Sequence, residues 1–566
     1  MRYIESLCRE QLVLFPEKLD DLVLEDNPVR VIDEFVNQLK LDGLGFVNAK
    51  LDKASPGAPC YSPECLLKLY IFGYFKKVRS SRKLMEMCAT NIEAMWLLGR
   101  LTPDFRTISD FRKDNISGIK KVFKIFVRLC AELGLYSKEI GVQDGSKFRA
   151  ENSKSNNLTE AKLKKKLEIA EEQIEKYLEE MNKNDEDEGD LPKYTKEEIL
   201  EKIEKLKARK EGYTDLLNKM KEEGETQKSL TDPDSRLMKM ANGGFNVSYN
   251  VQIIVDPSSH MIGTYEVTNQ CNDMGLLSQV TGELKGELGI STMEVVADKG
   301  YGDKADMLKC LLNGTIPHVP SKTGEESYEL ELEYKEAEIT EELLNSTAPE
   351  DIKTCLEAGA VPNAYMDKGI EVSVCEDEQY VPNGEDDQSG FTLNEEGTAV
   401  VCPNGSTLGK VSRLHNKNKT RFASRSACSG CKDKCTTSAF KQVDLKDGQT
   451  ALNTKKMQKV KKVKIKLTPD KDKLRNRKCI VEHPFGTVKR WNDGSYTLLV
   501  GQNKVGADLS LLFLAYNIKR AINMAGIQGL IGKMKEIMGK IMSCFLNFFR
   551  FPKISRPQFI FQHFFT

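Results

Sequence analysis

Ile480-Val481-Glu482-His483-Pro484-Phe485-Gly486-Thr487-Val488-Lys489-Arg490-Trp491 sets one carboxylate directly behind a basic run, Lys455 to Lys478, in which twelve Lys or Arg stand against two Asp. Such a run suits a phosphate backbone, because each phosphate it neutralises releases condensed counterions. Glu482 is the misfit in that field. Proline is tolerated in the first turn of a helix, where its missing N–H costs nothing, so Pro484 predicts a helix that starts near Glu482. Lys489 then stands about two turns on and on a similar face. A carboxylate and a lysine facing one phosphate point to a metal ligand paired with a positioning cation. The competing reading is an amphipathic helix with a solvated Glu.

Two acids upstream bear on that choice. Residues 139–150 read as a strand that ends on Asp144, followed by Gly145 and Ser146. A carboxylate before Gly-Ser serves divalent-cation sites and ordinary turns alike. Met293 to Asp303 reads as a buried strand emptying into a glycine turn, with Asp298 its last buried position. Between them, Phe245–Asp256 and Met261–Thr268 alternate as a hairpin around Pro257-Ser258-Ser259, and Met274–Leu288 reads as a helix. Two strands ending on acids and a later helix bearing a third is a layout in which three acids can converge on metal ions.

The rest of the chain frames this core. Residues 1–135 read as helical, with helices over Val29–Leu39, Leu66–Phe75, Met85–Trp96 and from Asp104 onward. Arginines at the junctions, Arg79-Ser80-Ser81-Arg82 and Arg112, suit a DNA-binding helical domain as well as a plain bundle with surface Arg. Apolar residues spaced three and four apart, Leu163 to Met181 and Ile199 to Met220, predict an antiparallel coiled-coil hairpin at about 158–225, serving dimerisation, DNA clamping or spacing. Residues 321–470 form an insertion, acidic first and basic later. It carries Cys402, Cys428, Cys431 and Cys435, a set that could close a tetrahedral zinc site, hold an iron–sulfur cluster or stay unliganded.

The formal charge is zero, yet acids crowd Glu325–Glu396 and bases Lys410–Arg490, so a local positive field remains available to nucleic acid. No run of about 18 apolar residues occurs, which speaks against a membrane span. The N-terminus leads into charged sequence, and fifteen irregularly spaced cysteines fit free thiols in a reducing cytosol. Cys8, Cys60, Cys88, Cys130 and Cys310 are expected as small buried hydrophobes.

Asp144-Gly145-Ser146, Asp298-Lys299-Gly300-Tyr301 and Glu482-His483-Pro484-Phe485-Gly486-Thr487-Val488-Lys489 resemble the three acidic motifs of DDE transposases from bacterial insertion sequences. Tyr61-Ser62-Pro63, Arg79-Ser80-Ser81-Arg82 and Pro103-Asp104-Phe105-Arg106-Thr107-Ile108 are similar to the N-terminal helical domain of that family, and Tyr516-Asn517-Ile518-Lys519-Arg520 to its closing helix. The resemblance implies an α/β (α+β) chain with an RNase H-like catalytic domain split over residues 136–320 and 471–525, followed by a tail at 526–566. It implies that Asp144, Asp298 and Glu482 hold two Mg²⁺ or Mn²⁺ ions for in-line phosphoryl transfer. Implied partners are double-stranded DNA, both element ends and target, and a second copy in a homodimer on DNA, in the bacterial cytoplasm at the nucleoid. Lys489 meets the family pattern, whereas Lys478 stands where Arg is usual and Arg475 where Tyr is usual. With Arg490 and the run residues Lys461, Lys462 and Lys464, these are the expected phosphate contacts. A metal-dependent nuclease of the same fold and a non-catalytic DNA-binding descendant of a transposase are the alternatives.

Overall fold

The computed structural model describes residues 18–49, 60–186, 195–382, 390–414, 419–431, 436, 438–446, 451–452, 455–491 and 494–550. Cys8 and Cys435 lie outside them. The chain divides into two compact units, one of residues 1–326, 347–349 and 468–566, the other of 327–346 and 350–467.

The first unit opens with helices whose ends are written in their capping residues. Asn27 accepts from the Val29 N–H at 3.0 Å to start α1 (Val29–Asn37). Ser62 accepts from Glu64 ahead of α2 (Pro63–Phe75), with Pro63 at the first position. The helix expected through Met85 and Trp96 is two helices, α3 (Ser81–Thr90) and α4 (Ile92–Leu98). Asn91 between them is extended and caps the second, accepting from Ala94 N at 2.9 Å. Asp104 caps α5 (Phe105–Asp114), and α6 (Ile116–Glu132) follows.

The sheet of this unit begins with β1 (Ile140–Arg149). Next come α7 (Glu160–Glu186) and α8 (Lys196–Glu222). Glu171 pairs with Lys210 at 2.8 Å, and the Lys166 and Lys202 ammonium groups stand over Tyr213 and Tyr177. Contacts that rise along one helix as they fall along the other make the two helices antiparallel. The sheet resumes with β2 (Arg236–Lys239), β3 (Phe245–Val255) and β4 (Ile262–Thr268), then α9 (Leu277–Leu288), β5 (Met293–Val296), α10 (Lys304–Leu312) and β6 (Thr315–His318). β1 pairs antiparallel with β3 and parallel with β5; β5 pairs parallel with β6, and β2 and β4 both pair antiparallel with β3. β1 does not end on Asp144 as expected: β3 pairs it as far as Arg149, which leaves Asp144 in mid-strand.

Three helices close the unit: α11 (Lys471–Gly486), α12 (Gln502–Ala525) and α13 (Ile527–Arg550). α11 starts a full three turns before the predicted position. Asp470 caps it, accepting from Asp472 N at 2.9 Å and Lys473 N at 3.3 Å. Pro484 therefore sits inside the helix near its C-terminal end. Its ring removes the N–H that would bond Ile480 O, and the His260 imidazole, 3.3 Å away, donates to that carbonyl instead. Residues 526–566, expected only as a tail, supply α13, whose Leu530, Met534, Met538, Ile541 and Phe545 are buried at helical spacing.

α12 is buried without interruption from Val505 to Ile518. It lies in one hydrophobic core shared by the N-terminal helices and the sheet, so residues 1–135 are no separate domain. Inside that core Asp508 is fully buried. Arg79 reaches its Oδ2 at 2.6 Å, Arg112 its Oδ1 at 3.2 Å, and the Tyr74 hydroxyl donates to the same Oδ1. Two of the junction arginines expected for DNA are thus internal counter-ions, because α12 brings Asp508 to them. Cys88, Cys130 and Cys310 are buried as expected, and Cys60 is exposed. Among the described residues no helix is long and apolar enough to cross a membrane.

The second unit holds two sheets. In the first, β9 (Lys455–Leu467) runs between β7 (Tyr328–Glu333) and β8 (Ile370–Pro382), antiparallel to both. Val463, Ile465 and Leu467 are buried on one side. Lys464 lies opposite Glu331 in register, Lys462 pairs with Glu331 at 3.1 Å, Lys466 pairs with Glu371 at 3.2 Å, and Lys461 stands over the Tyr334 ring. The first half of the basic run, Lys455–Leu467, is therefore a strand with acidic partners at Lys462 and Lys466 and not an uncompensated run, while its second half opens α11. The second sheet runs Gln442–Lys446, Lys419–Ala423, Thr407–Leu414, Ala399–Val401, Phe391–Leu393, Ala451–Leu452.

Removing one partner of a buried charge cluster leaves the others desolvated and unpaired, which costs about 3–5 kcal/mol. Asp508→Ala is expected to lower folding stability by about that amount, read from the midpoint of urea unfolding; a loss under about 1 kcal/mol would show that Arg79 and Arg112 find other partners.

Candidate metal and phosphate site

The parallel pairing of β1 with β5 sets Ile140 beside Glu294 and Val142 beside Val296. Two residues further along each chain stand Asp144 and Asp298. Asp298 follows the end of β5 and caps a short 3₁₀ turn, Lys299–Tyr301, by accepting from Gly300 N at 2.7 Å. Asp144 accepts from Gly145 N at 3.0 Å and is about a quarter exposed. Burial, opposed by Arg477 and reinforced by Asp298 and Asp273, pushes the Asp144 carboxyl up to about 6.

Gly145, paired with Gln252, marks where the far side of β1 is approached closely. A Cβ there would stand 2.3 Å from Gln252 Nε2 and 2.7 Å from Asp273 Oδ1. Asp273 Oδ1 accepts from Asn250 Nδ2 and Gln252 Nε2, both at 2.8 Å, with Lys147 Nζ at 3.6 Å. Buried Tyr301 donates to Gln252 Oε1, which ties the turn after Asp298 into the same network.

α11 lies across β5 and β1, and its contacts recur every four residues. Lys473 meets Glu294, which also accepts from His318 Nε2 at 2.7 Å. His318 Nδ1 accepts from Asp470 N at 3.1 Å, which ties the cap of α11 to β6. Arg477 Nη1 stands 3.7 Å from Asp144 Oδ1, Val481 is buried, and the Phe485 ring lies 6.3 Å from that of Phe148. Beyond the helix, Lys489 donates to Ser146 Oγ at 2.6 Å and Lys147 O at 2.8 Å, 4.5 Å above the Phe148 ring. Burial first, then Lys147, brings its ammonium down to about 8.

Glu482 is one residue off this sheet-facing row. Its side chain is 64% exposed and stands 3.6 Å from Lys478, one turn back. Among the described residues no three His, Cys, Asp or Glu side chains are close enough to share a metal ion. The structure brings Asp144 and Asp298 together and sets Glu482 on the adjoining helix, turned to solvent. Arg475, Lys478 and Arg490 are exposed on and just beyond α11. The two aspartates fit a hard divalent cation in donor type, being oxygen ligands side by side. A buried Arg477 Nη1 without a hydrogen-bond partner shows that this place already draws positive charge.

Arg477, Asp273 and Gln252 were missed from sequence. For Arg477 a signal existed, since it falls on the row that continues through Val481 and Phe485; Asp273, in a loop, had none.

In the second unit Cys402 Sγ accepts from Ser406 N at 3.3 Å, Cys428 Sγ from Lys441 N at 3.5 Å, and Cys431 Sγ from Asn404 Nδ2 at 3.2 Å. Asn404, in the turn after Cys402, thereby touches Cys431.

Two family models match the chain: a transposase domain (DUF772) over residues 17–114 and a transposase DDE domain over residues 401–522. No curated protein matches it. Among solved structures, the synaptic complex of piggyBac transposase with hairpin DNA, determined by cryo-EM, aligns at 8% identity over 92% of this chain and 81% of that one, with a TM-score of 0.27. No shared fold follows from a score that low.

An Asp that holds its proton to about 6 when folded and about 3.9 when unfolded binds more protons folded than unfolded between those values. Stability falls as pH rises through that window and stays lower above it. In chelator, Asp144→Asn is expected to be more stable than the unaltered protein by about 1–2 kcal/mol at pH 8 and indistinguishable from it at pH 4. Equal urea midpoints at pH 8 would contradict the crowding of charge described here.

Proposed function

Because its transposase domain and its transposase DDE domain place the chain among the DDE transposases of the insertion-sequence type, we propose that it binds the ends of an insertion sequence and cuts and joins DNA by in-line phosphoryl transfer, with Asp144, Asp298 and Glu482 as the acids that hold two divalent ions, Mg²⁺ or Mn²⁺. The observation that supports this reading is the parallel pairing of Ile140–Val142 with Glu294–Val296, two residues short of Asp144 and Asp298, with Glu482 on α11, the helix that crosses both strands. A strand order of β4-β3-β1-β5-β6, antiparallel on one side of β1 and parallel on the other, supports an RNase H-like catalytic domain.

Divalent ions at these carboxylates would activate the attacking water or 3′-hydroxyl and stabilise the leaving oxygen. Asp144 and Asp298 supply neighbouring oxygens on a rigid sheet. Glu482 joins them by giving up its exposed contact with Lys478, a pair worth little in water. Lys489 keeps its ammonium beside Ser146, where it orients a phosphate. Arg475, Lys478 and Arg490, exposed on and just beyond α11, hold the backbone of double-stranded DNA. Lys461, Lys462 and Lys464 add a weaker contact, since acidic strands already answer their charge. The thiols Cys402, Cys428 and Cys431, with Cys435, form a structural zinc site, supported by N–H donors on the first three sulfurs. The protein works as a homodimer on element ends and target in the bacterial cytoplasm, at the nucleoid.

Metal ligands act on the transition state more than on DNA affinity, whereas exposed cations act on affinity and its salt dependence. Glu482→Gln is expected to abolish Mg²⁺-dependent cleavage of the element's own ends and leave end binding unchanged in a gel-shift titration. Replacing Arg475, Lys478 and Arg490 by Ala is expected to weaken binding and flatten its salt slope by up to about 3. A Glu482→Gln protein that nicks DNA at the unaltered rate would remove Glu482 from the site.

A further inference from the structure

Arg477 is a half-buried arginine in an unusual position. Its Nη1 is 3.7 Å from Asp144 Oδ1, outside hydrogen-bond range, and this nitrogen is buried with no hydrogen-bond partner at all. A desolvated donor left unmatched is costly unless another force holds it there. Two features supply that force. The first is helix packing: Lys473 one turn earlier is locked to Glu294, Val481 one turn later is buried, and Phe485 packs on Phe148, so α11 delivers the side chain over β1 whatever its own bonds. The second is charge. Asp144 has Asp298 alongside and Asp273 behind, and a guanidinium relieves that repulsion without needing directed bonds.

We propose that Arg477 is the resting counter-ion of the Asp144–Asp298 pair, that a divalent cation must displace it, and that the freed guanidinium turns to a backbone phosphate of bound DNA. This rests on the reading of Asp144 and Asp298 as metal ligands. A divalent ion brings twice the charge and coordinates carboxylate oxygens directly, so it wins the contest for Asp144. A guanidinium released beside a phosphate has a bidentate partner of matching geometry. Metal and DNA then bind cooperatively through one side chain, and by linkage each raises the affinity of the other by the same factor.

The test is a titration of the full-length protein with Mn²⁺, with free ion read by electron paramagnetic resonance, in the absence and presence of a short DNA duplex carrying the element end. Arg477→Gln removes the competing charge. It is expected to bind Mn²⁺ about tenfold tighter than the unaltered protein without DNA, a difference of about 1.4 kcal/mol, and to lose most of the tightening that DNA adds. Arg477→Lys keeps the charge and is expected to stay near the unaltered value. Equal or weaker Mn²⁺ binding by Arg477→Gln, with Asp144→Asn still lowering affinity, overturns the inference and leaves the metal reading intact. If Asp144→Asn binds Mn²⁺ as well as the unaltered protein, both fall. Should Arg477→Gln fail to fold, the unaltered protein decides: its Arg477 Nε–H resonance, assigned against Arg477→Lys, shifts on addition of Mg²⁺ if the guanidinium is displaced, and an unmoved resonance overturns the proposal.

Discussion

Two like charges held side by side by a parallel strand pairing form the constraint on which the rest of the site depends. β1 and β5 are paired in parallel as far as Val142 and Val296, and Asp144 and Asp298 each stand two residues beyond that last pair. Everything around them can be understood as relief of that crowding. The Gly145 N–H bonds Asp144, the Gly300 N–H bonds Asp298, and Arg477 brings a full positive charge from the facing helix. Burial above all, with the charges of Asp298 and Asp273 added to it, keeps the Asp144 carboxyl up at about 6 against the pull of Arg477 and the Gly145 N–H.

The same logic of charge answered locally recurs elsewhere. Asp508, in the middle of the deeply buried α12, is neutralised by Arg79 from the junction between α2 and α3 and by Arg112 from α5, which ties α12 to the N-terminal helical layer in the core they share with the sheet. In the second unit, Lys462 and Lys466 on β9 meet Glu331 and Glu371 on the strands to either side. Arg475, Lys478 and Arg490, on and just beyond α11, are exposed.

How far sequence reading reached follows from the range of the forces involved. Local rules were legible: the cap at Asp104, the hairpin of β3 and β4, and the three–four spacing of α7 and α8 all rest on residues a few positions apart. Misreadings arose where a distant residue decides. Asp144 looked like a strand end because Gly145, Ser146 and Lys147 are polar, yet β3 pairs them all. Pro484 looked like a helix start because its lost hydrogen bond had no visible substitute, and His260 provides one from another strand connection. Lys455 to Leu467 looked like a phosphate-binding run because its partners, Glu331 and Glu371, lie about a hundred residues or more upstream. Arg79 and Arg112 looked like surface cations for want of any hint that Asp508 would meet them.

Glu482 is the residue on which the account turns, since the sheet places the two aspartates while the helix leaves the third acid facing water. The most direct measurement is anomalous diffraction at the manganese edge from crystals of the protein grown with an element-end duplex and Mn²⁺. The account predicts a peak at about 2.2 Å from a carboxylate oxygen of both Asp144 and Asp298, with Glu482 turned away from Lys478 to ligate a second ion beside it. A peak elsewhere, or Mn²⁺ bound at the two aspartates with Glu482 still paired to Lys478, would contradict it.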